Sequence, residues 1–218
     1  MKRPPKPSSP DLTRPDLLAN EDVPAAPQQA RSRRTRDALL SAALDLFAAR
    51  GFERTSIADI ANGANAAAGT FYQHFRSKRQ LLLVLMDGLL REIEALNLSL
   101  DSGEPRAVLE TALRQGLSAD RAYAGAYRAW REVALSDADV AALDAQVQAW
   151  TAKRVAFALR SALAFPGARR EVDVETTARL LNGLFWRVAE ESADEDERTI
   201  QAVLHLFMHG LFEDEALT

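Results

Sequence analysis

From Thr35 onward, apolar residues return at intervals of three and four. Leu40, Ala43, Leu44 and Phe47 fall at i, i+3, i+4 and i+7, one face of a helix. Gly51, after Ala-Ala-Arg, is placed to end that helix in the left-handed conformation, with Phe52 folding back on the last turn. A second, short helix is predicted from Ser56 to about Asn62 or Ala64. Ser56 and Asp59 form a capping box, and Ile57, Ile60 and Ala61 supply its apolar side. A third spans about Ala67 to His74. Ser77 and Gln80 form another capping box that opens a long helix through Leu81, Leu82, Leu85, Met86, Leu89, Leu90 and Ile93.

The rest of the chain is also helical in pattern. Asp101 to Pro105 reads as a break, followed by a helix to about Leu117 and another from about Ala119 to Leu135. Ser136 to Asp139 caps a long helix reaching Phe165, which Pro166-Gly167 ends. Two final helices fall at about 172–190 and 195–212. No segment has strand periodicity. The expected class is all-α, with a three-helix head at 31–80 and a larger helical body at 81–218. Residues 1–30 hold seven of the nine prolines and almost no periodic apolar pattern, so a disordered tail is expected there.

Charge divides the chain in the same way. Its formal net charge is −4. By residue count, 31–80 carry +5, 81–218 carry −9 and 1–30 balance. A compact basic segment on an acidic body points to an anionic partner such as DNA. No apolar run reaches the roughly 18 residues of a membrane span. The basic start has no apolar segment behind it and is no secretory signal. With no cysteine, disulfides and thiolate metal sites are excluded. A cytoplasmic protein without membrane association fits best.

Two short helices joined by a tight turn, the second exposing polar and aromatic groups, make a helix-turn-helix pattern. The second would enter the major groove, which admits one helix. Gly69 lets the backbone approach closely. Thr70 and Gln73 can bond to bases or phosphates, and Tyr72 and His74 can donate to phosphate oxygens. Lys78 adds a cation beside the amides that open the next helix. Arg31 to Arg36, including Arg33 and Arg34, could reach a minor groove as an arm.

The run Thr35 to Phe52, the segment Thr55 to Ala61, and Gly69 to Leu82 together resemble the tetracycline-repressor (TetR) family over about residues 33–85. That resemblance implies a bacterial transcription regulator, usually a repressor, acting as a homodimer. It implies phosphate contacts from Tyr72, His74 and Lys78, and from Thr55 or Ser56. Positions Ala68, Gly69, Thr70 and Gln73 would face the bases. Where the family usually has Ala-Gly-Val-Ser, this chain has Ala64-Asn65-Ala66-Ala67. Asparagine tolerates a left-handed turn, but Ala67 removes a serine cap. Fewer polar base contacts are therefore expected. The rival is that Asn65 caps an earlier-starting helix, bonding the amide of Ala67 or Ala68.

The body carries no catalytic motif, and three histidines without cysteine leave nucleophilic triads hard to build. No enzyme, cofactor or metal site is expected. His205 and His209 stand at metal-binding spacing but lack a third ligand nearby, and packing near a dimer interface is the expectation. The family binds a small molecule in this region. Met86, Leu90, Tyr123, Tyr127, Trp130, Phe157 and Trp186 would line a mostly apolar effector pocket, or simply fill the core. Leu180, Leu184 and Val188 on one helix, and Val203, Leu204, Phe207 and Leu211 on the next, are expected to form a two-fold four-helix interface. The expected partners are thus a roughly palindromic double-stranded operator, a small apolar effector and a second copy. The alternative is a helical small-molecule-binding or scaffold protein with a degenerate DNA-binding head.

Overall fold

The structure is a computed structural model. It describes residues 11–24, 28–96, 106–107, 110–111, 114–115, 118, 122–165, 167–169, 171–189 and 196–211. Among these the regular elements are all helices: α1 (Ala30–Arg50), α2 (Ile57–Gly63), α3 (Ala68–His74), α4 (Lys78–Ala95), α5 (Ala124–Ala134), α6 (Ala138–Ala162), α7 (Val174–Ala189) and α8 (Asp196–Leu211). The chain forms two compact units. One comprises residues 16–96 and 114–145, the other 1–15, 97–113 and 146–218.

In the first unit, α1 buries Leu39, Ala42, Ala43 and Phe47 on one stripe. Gly51 follows at φ +83° and donates its amide to the Phe47 carbonyl at 2.9 Å. This backbone region favours glycine. Phe52 then returns to Phe47, with ring centroids 5.5 Å apart. The helix begins at Ala30, five residues before the expected Thr35, because nothing between them breaks a helix and the Arg33 amide reaches the Gln29 carbonyl. The basic cluster Arg31 to Arg36 therefore lies on the first turns of α1. Arg33 and Arg34 are exposed on a helix, and Arg36 lies over the Phe75 ring at 5.0 Å.

The capping box of α2 forms in full. The Asp59 amide donates to Ser56 Oγ at 3.1 Å and the Ser56 amide to Asp59 Oδ2 at 2.9 Å. Between α2 and α3 the chain turns at Asn65, φ +52°, and the Ala66 amide bonds the Ala61 carbonyl. At α4 the Ser77 hydroxyl accepts the Gln80 amide at 3.0 Å. Gln80 bonds back to the amide of Arg76 at 2.9 Å, one residue earlier than a capping box requires. The buried face of α4 includes Leu81, Leu82, Leu85, Met86, Leu89, Leu90 and Ile93, all expected from the pattern.

The N-terminal segment departs from the expected unpacked tail over part of its length. Leu17 is 2% exposed. Glu21 bonds Arg79 at 2.6 Å and Gln80 at 3.1 Å. Proline-rich composition hid one apolar anchor, Leu17, and one acidic residue, Glu21, that finds a cation in the first turn of α4. Residues 1–10 and 25–27 lie outside the described residues.

In the second unit, α6, α7 and α8 enclose a core of Ala156, Leu159, Ala162, Ala178, Met208 and Leu211. Asn182 donates to the Gln148 side chain at 2.9 Å, and Arg160 pairs with Glu175. The α6 helix ends at Ala162, short of the expected Phe165. Trp150 donates to the Leu12 carbonyl at 2.8 Å, fixing a second point of the N-terminal segment.

Candidate nucleic-acid interface

On α3 the spacing of the aromatics sets the exposed face. Phe71 and Phe75 are fully buried and anchor the helix. Ala68, Gly69, Tyr72 and Gln73 are consequently turned outward, Tyr72 with 54% of its surface exposed. A side chain at Gly69 would meet nothing within 4 Å, so this surface is open. Thr70 is half-buried. The cap of α3 is Ala67, φ −69° and ψ 147°, and no side chain bonds the first amides. Only a backbone bond from the Thr70 amide to the Ala67 carbonyl, 2.8 Å, closes the first turn.

Three expected phosphate donors are placed differently. Thr55 is 1% exposed, and its hydroxyl donates to the Gly51 carbonyl at 2.8 Å, so it braces the α1–α2 turn from inside. His74 is 5% exposed, its pKa pushed below the ordinary value by burial and then by nearby Arg36. It belongs to the interior of the head. Lys78 is half-buried, with Nζ donating to the carbonyls of Phe52 and Thr55 at 2.6 and 2.8 Å and lying 4.0 Å from the Phe52 ring centroid. Two of its three donors therefore serve the turn. Burial lowers its pKa, against the pull of Glu53 and Glu132. Ser56 stays exposed, but its hydroxyl donates to Asp59 at 2.6 Å. Hydroxyl and ammonium groups look alike in a sequence whether they serve a partner or their own backbone.

Helix α5 adds residues the sequence did not flag. Glu132 accepts the amides of Phe52 at 2.7 Å and Glu53 at 3.1 Å. Arg128 donates to the Ala48 carbonyl at 2.7 Å. These contacts span about eighty residues of chain, and no local pattern announces them.

Of the expected effector-pocket residues, Met86 and Leu90 on α4 and Tyr127 and Trp130 on α5 are buried in the first unit, where α4 packs on α5. Tyr123, half-buried, starts α5. Trp130 donates to Asp144 at 2.8 Å. Phe157 is half-buried in the second unit, and the Trp186 side chain lies outside the described residues. Neither described cavity is lined by any of the seven. One, about 550 Å³, is bordered by Lys153, Arg160, Glu175 and Arg179. The other, about 230 Å³, lies between α7 and α8.

On the expected association face, Leu180 is 70% and Leu184 40% exposed, and Val203 is half-buried. Leu204 and Leu211 are corrected: they are buried, on the inner stripe of α8 with Ile200 and Met208. The apolar run on α8 is wide enough to cover two faces, and the outward one carries Leu206, 65% exposed and absent from the expected set. The side chains of Val188 and Phe207 lie outside the described residues. His205 and His209 are exposed in the single chain, ring centroids 4.2 Å apart.

Residues 39–85 match the family model of bacterial regulatory proteins, tetR family. The transcriptional regulator TcmR of Streptomyces glaucescens is 37% identical over 75 residues, 34% of this chain and 33% of its own. The transcriptional repressor KstR2 of Mycolicibacterium smegmatis is 44% identical over 60 residues, 28% of each chain. The chain thus spans about a third of the length of these curated relatives. In fold it is similar to AibR, solved in complex with isovaleryl coenzyme A and operator DNA: TM-score 0.62, 22% identity, covering 79% of this chain and 97% of that one. No helix among the described residues is long and apolar enough to cross a membrane. Residues 39–85, the segment that holds the exposed helix α3 on its buried phenylalanines, are thus similar to the bacterial regulatory proteins of the tetR family.

Proposed function

We propose that the protein is a ligand-responsive transcriptional regulator, in the simplest case a repressor. It binds a roughly palindromic DNA operator as a homodimer and is released by a small, largely apolar effector. The observation that carries this is the outward stripe Ala68, Gly69, Tyr72 and Gln73 on a short helix whose two phenylalanines are fully buried. Such a helix is anchored on one side, exposed on the other and of a size to enter a major groove. Gln73 is then the residue that hydrogen-bonds bases, Tyr72 a phosphate donor, and Ala68 an apolar contact for a thymine methyl. Arg33 and Arg34 supply charge from the first turns of α1. The naming of KstR2 as a repressor, and the isovaleryl coenzyme A and operator DNA in the AibR complex, support the regulatory reading.

The dimer would close on Leu180, Leu184 and Leu206, large apolar side chains that stand exposed on α7 and α8. The effector pocket would be lined from α4 and α5 by Met86, Leu90, Tyr123, Tyr127 and Trp130. The effector acts by binding two arrangements of the head unequally, since only differential affinity shifts such an equilibrium. The protein carries out no catalysis in this reading and works in the cytoplasm.

One observation favours a second reading, a helical small-molecule-binding protein with a degenerate head. The first turn of α3 presents only Ala67, Ala68 and Gly69 and has no side-chain cap. The test is a DNA duplex selected by the protein from a randomised pool, titrated at several salt concentrations. Regulation requires selection of a defined sequence, a steep fall of affinity with salt, and relaxed base preference in Gln73→Ala. Failure to enrich any sequence supports the degenerate head.

A further inference from the structure

Helix α5 meets the DNA-binding head on a single stripe. Gly125, Arg128 and Glu132 stand at i, i+3 and i+7. Gly125 lies against α1 so closely that a Cβ there would come within 2.0 Å of the Leu44 carbonyl oxygen. One turn on, Arg128 bonds the Ala48 carbonyl at the end of α1. Glu132 completes the stripe beyond that end. Its carboxylate accepts the two successive amides of Phe52 and Glu53, and sits where a Cβ on Gly51 would be, 2.7 Å from Oε2.

The same turn is held from its other side by the head's own Lys78, through the carbonyls of Phe52 and Thr55. Phe52 is therefore gripped by both of its peptide groups: a carboxylate on the amide, an ammonium on the carbonyl. Charged partners make these the stronger class of hydrogen bond. The turn leads directly into the Ser56 cap of α2, and α2 packs on α3. The position of the α1–α2 turn thus sets where α2 braces the exposed helix.

We infer that Glu132 is a positioning residue for DNA binding: through the amides of Phe52 and Glu53 it fixes the turn that orients α2 and α3, and so couples α5 to the affinity of the head. The inference rests on the DNA-binding reading above. It also gives the coupling a route. The opposite side of α5 buries Tyr127 and Trp130, so one rigid helix presents expected effector contacts on one face and the grip on the turn on another. A rotation or slide of α5 moves both.

The test uses the full chain and the duplex that the wild-type protein selects from a randomised pool. Glu132→Gln can accept only one of the two amides and confronts the other with a donor. It is expected to weaken binding to that duplex by tenfold or more at a temperature where the variant is folded by circular dichroism. Val133→Ala is the control, a cavity in the buried core of the same helix that costs stability without touching the turn. It is expected to change the affinity less than twofold. Amide hydrogen exchange at Phe52 and Glu53 should quicken in Glu132→Gln and not in Val133→Ala. Equal affinity losses in the two variants, or wild-type affinity in Glu132→Gln, would overturn the positioning role and leave Glu132 a stability residue. Failure of the wild-type protein to select any duplex is a different result, which overturns the DNA-binding reading and this inference with it.

Discussion

Ala67→Ser should stabilise the protein. With Ala67 at the cap of α3, the amides of Ala68, Gly69 and Thr70 open the helix, and no side chain meets them. The cap backbone already lies in the extended region at φ −69° and ψ 147°, where a serine hydroxyl reaches the second or third amide. The Thr70 amide is partly served by the Ala67 carbonyl at 2.8 Å, so the gain falls mainly on Gly69. A side-chain cap contributes about 0.5–2 kcal/mol. Exposure of Ala67 and the existing backbone bond put the expected gain in the lower half, about 0.5–1 kcal/mol. For a chain of this size that is a rise in Tm of about 1–4 °C. Urea unfolding followed by the fluorescence of Trp130, buried in the same unit as α3, with Trp150→Phe and Trp186→Phe as background, reads it directly. At an m-value of about 1–3 kcal/mol/M the midpoint should rise by about 0.2–1 M with m unchanged. Ala67→Gly is the comparison, because a glycine cap lacks the hydroxyl. A midpoint for Ala67→Ser no higher than for Ala67→Gly would refute the reasoning, since the uncapped amides would then not be the weakness of this helix.

Other outcomes follow from the same geometry. Asn65→Gly should be near neutral and Asn65→Ala should cost about 1 kcal/mol, because φ +52° is a conformation asparagine and glycine accept and alanine resists; thermal melts of the pair measure it. Gly125→Ala should cost about 3 kcal/mol or more, the upper end for overpacking, since its Cβ would meet backbone rather than a movable side chain; denaturant titration of the variant checks this. The Asp59 carboxylate, bonded by the Ser56 hydroxyl and amide and by Arg50, is held down at about 2 from an ordinary 3.8. Its folded pKa is depressed, so its contribution is present above pH 3.8 and lost as pH falls through about 2. The stability difference between wild type and Asp59→Asn should therefore shrink as the pH is lowered through that window, and a difference that persists unchanged would count against the capping box as its source. Leu184→Glu should yield monomers by light scattering if the exposed leucines of α7 and α8 form the dimer contact.

Much of this protein was legible in the order of its residues. The interval of three and four from Leu40 to Phe47, the cap at Ser56, the glycine at 51 and the missing cap at Ala67 each act within one turn of chain. Local backbone chemistry decides them, and the last three stand in the structure as the pattern implies, while the buried stripe of α1 is shifted to Leu39, Ala42, Ala43 and Phe47, with Leu40 and Leu44 only half-buried. The same holds for the outward stripe of α3, which follows once Phe71 and Phe75 are assigned inward. The tertiary structure decided which polar groups are spent internally. Thr55, His74 and Lys78 have the chemistry of phosphate ligands, yet Thr55 and His74 are buried and Lys78 is engaged by backbone carbonyls. It also decided which side of a wide apolar helix faces out, turning Leu204 inward and Leu206 outward. Glu132 is the plainest case. A lone glutamate on α5 has no meaning in sequence, because its partners are backbone amides eighty residues away. Periodicity encodes what a residue does within its own helix; what a charge or hydroxyl answers to is set only when distant segments are brought within bonding distance.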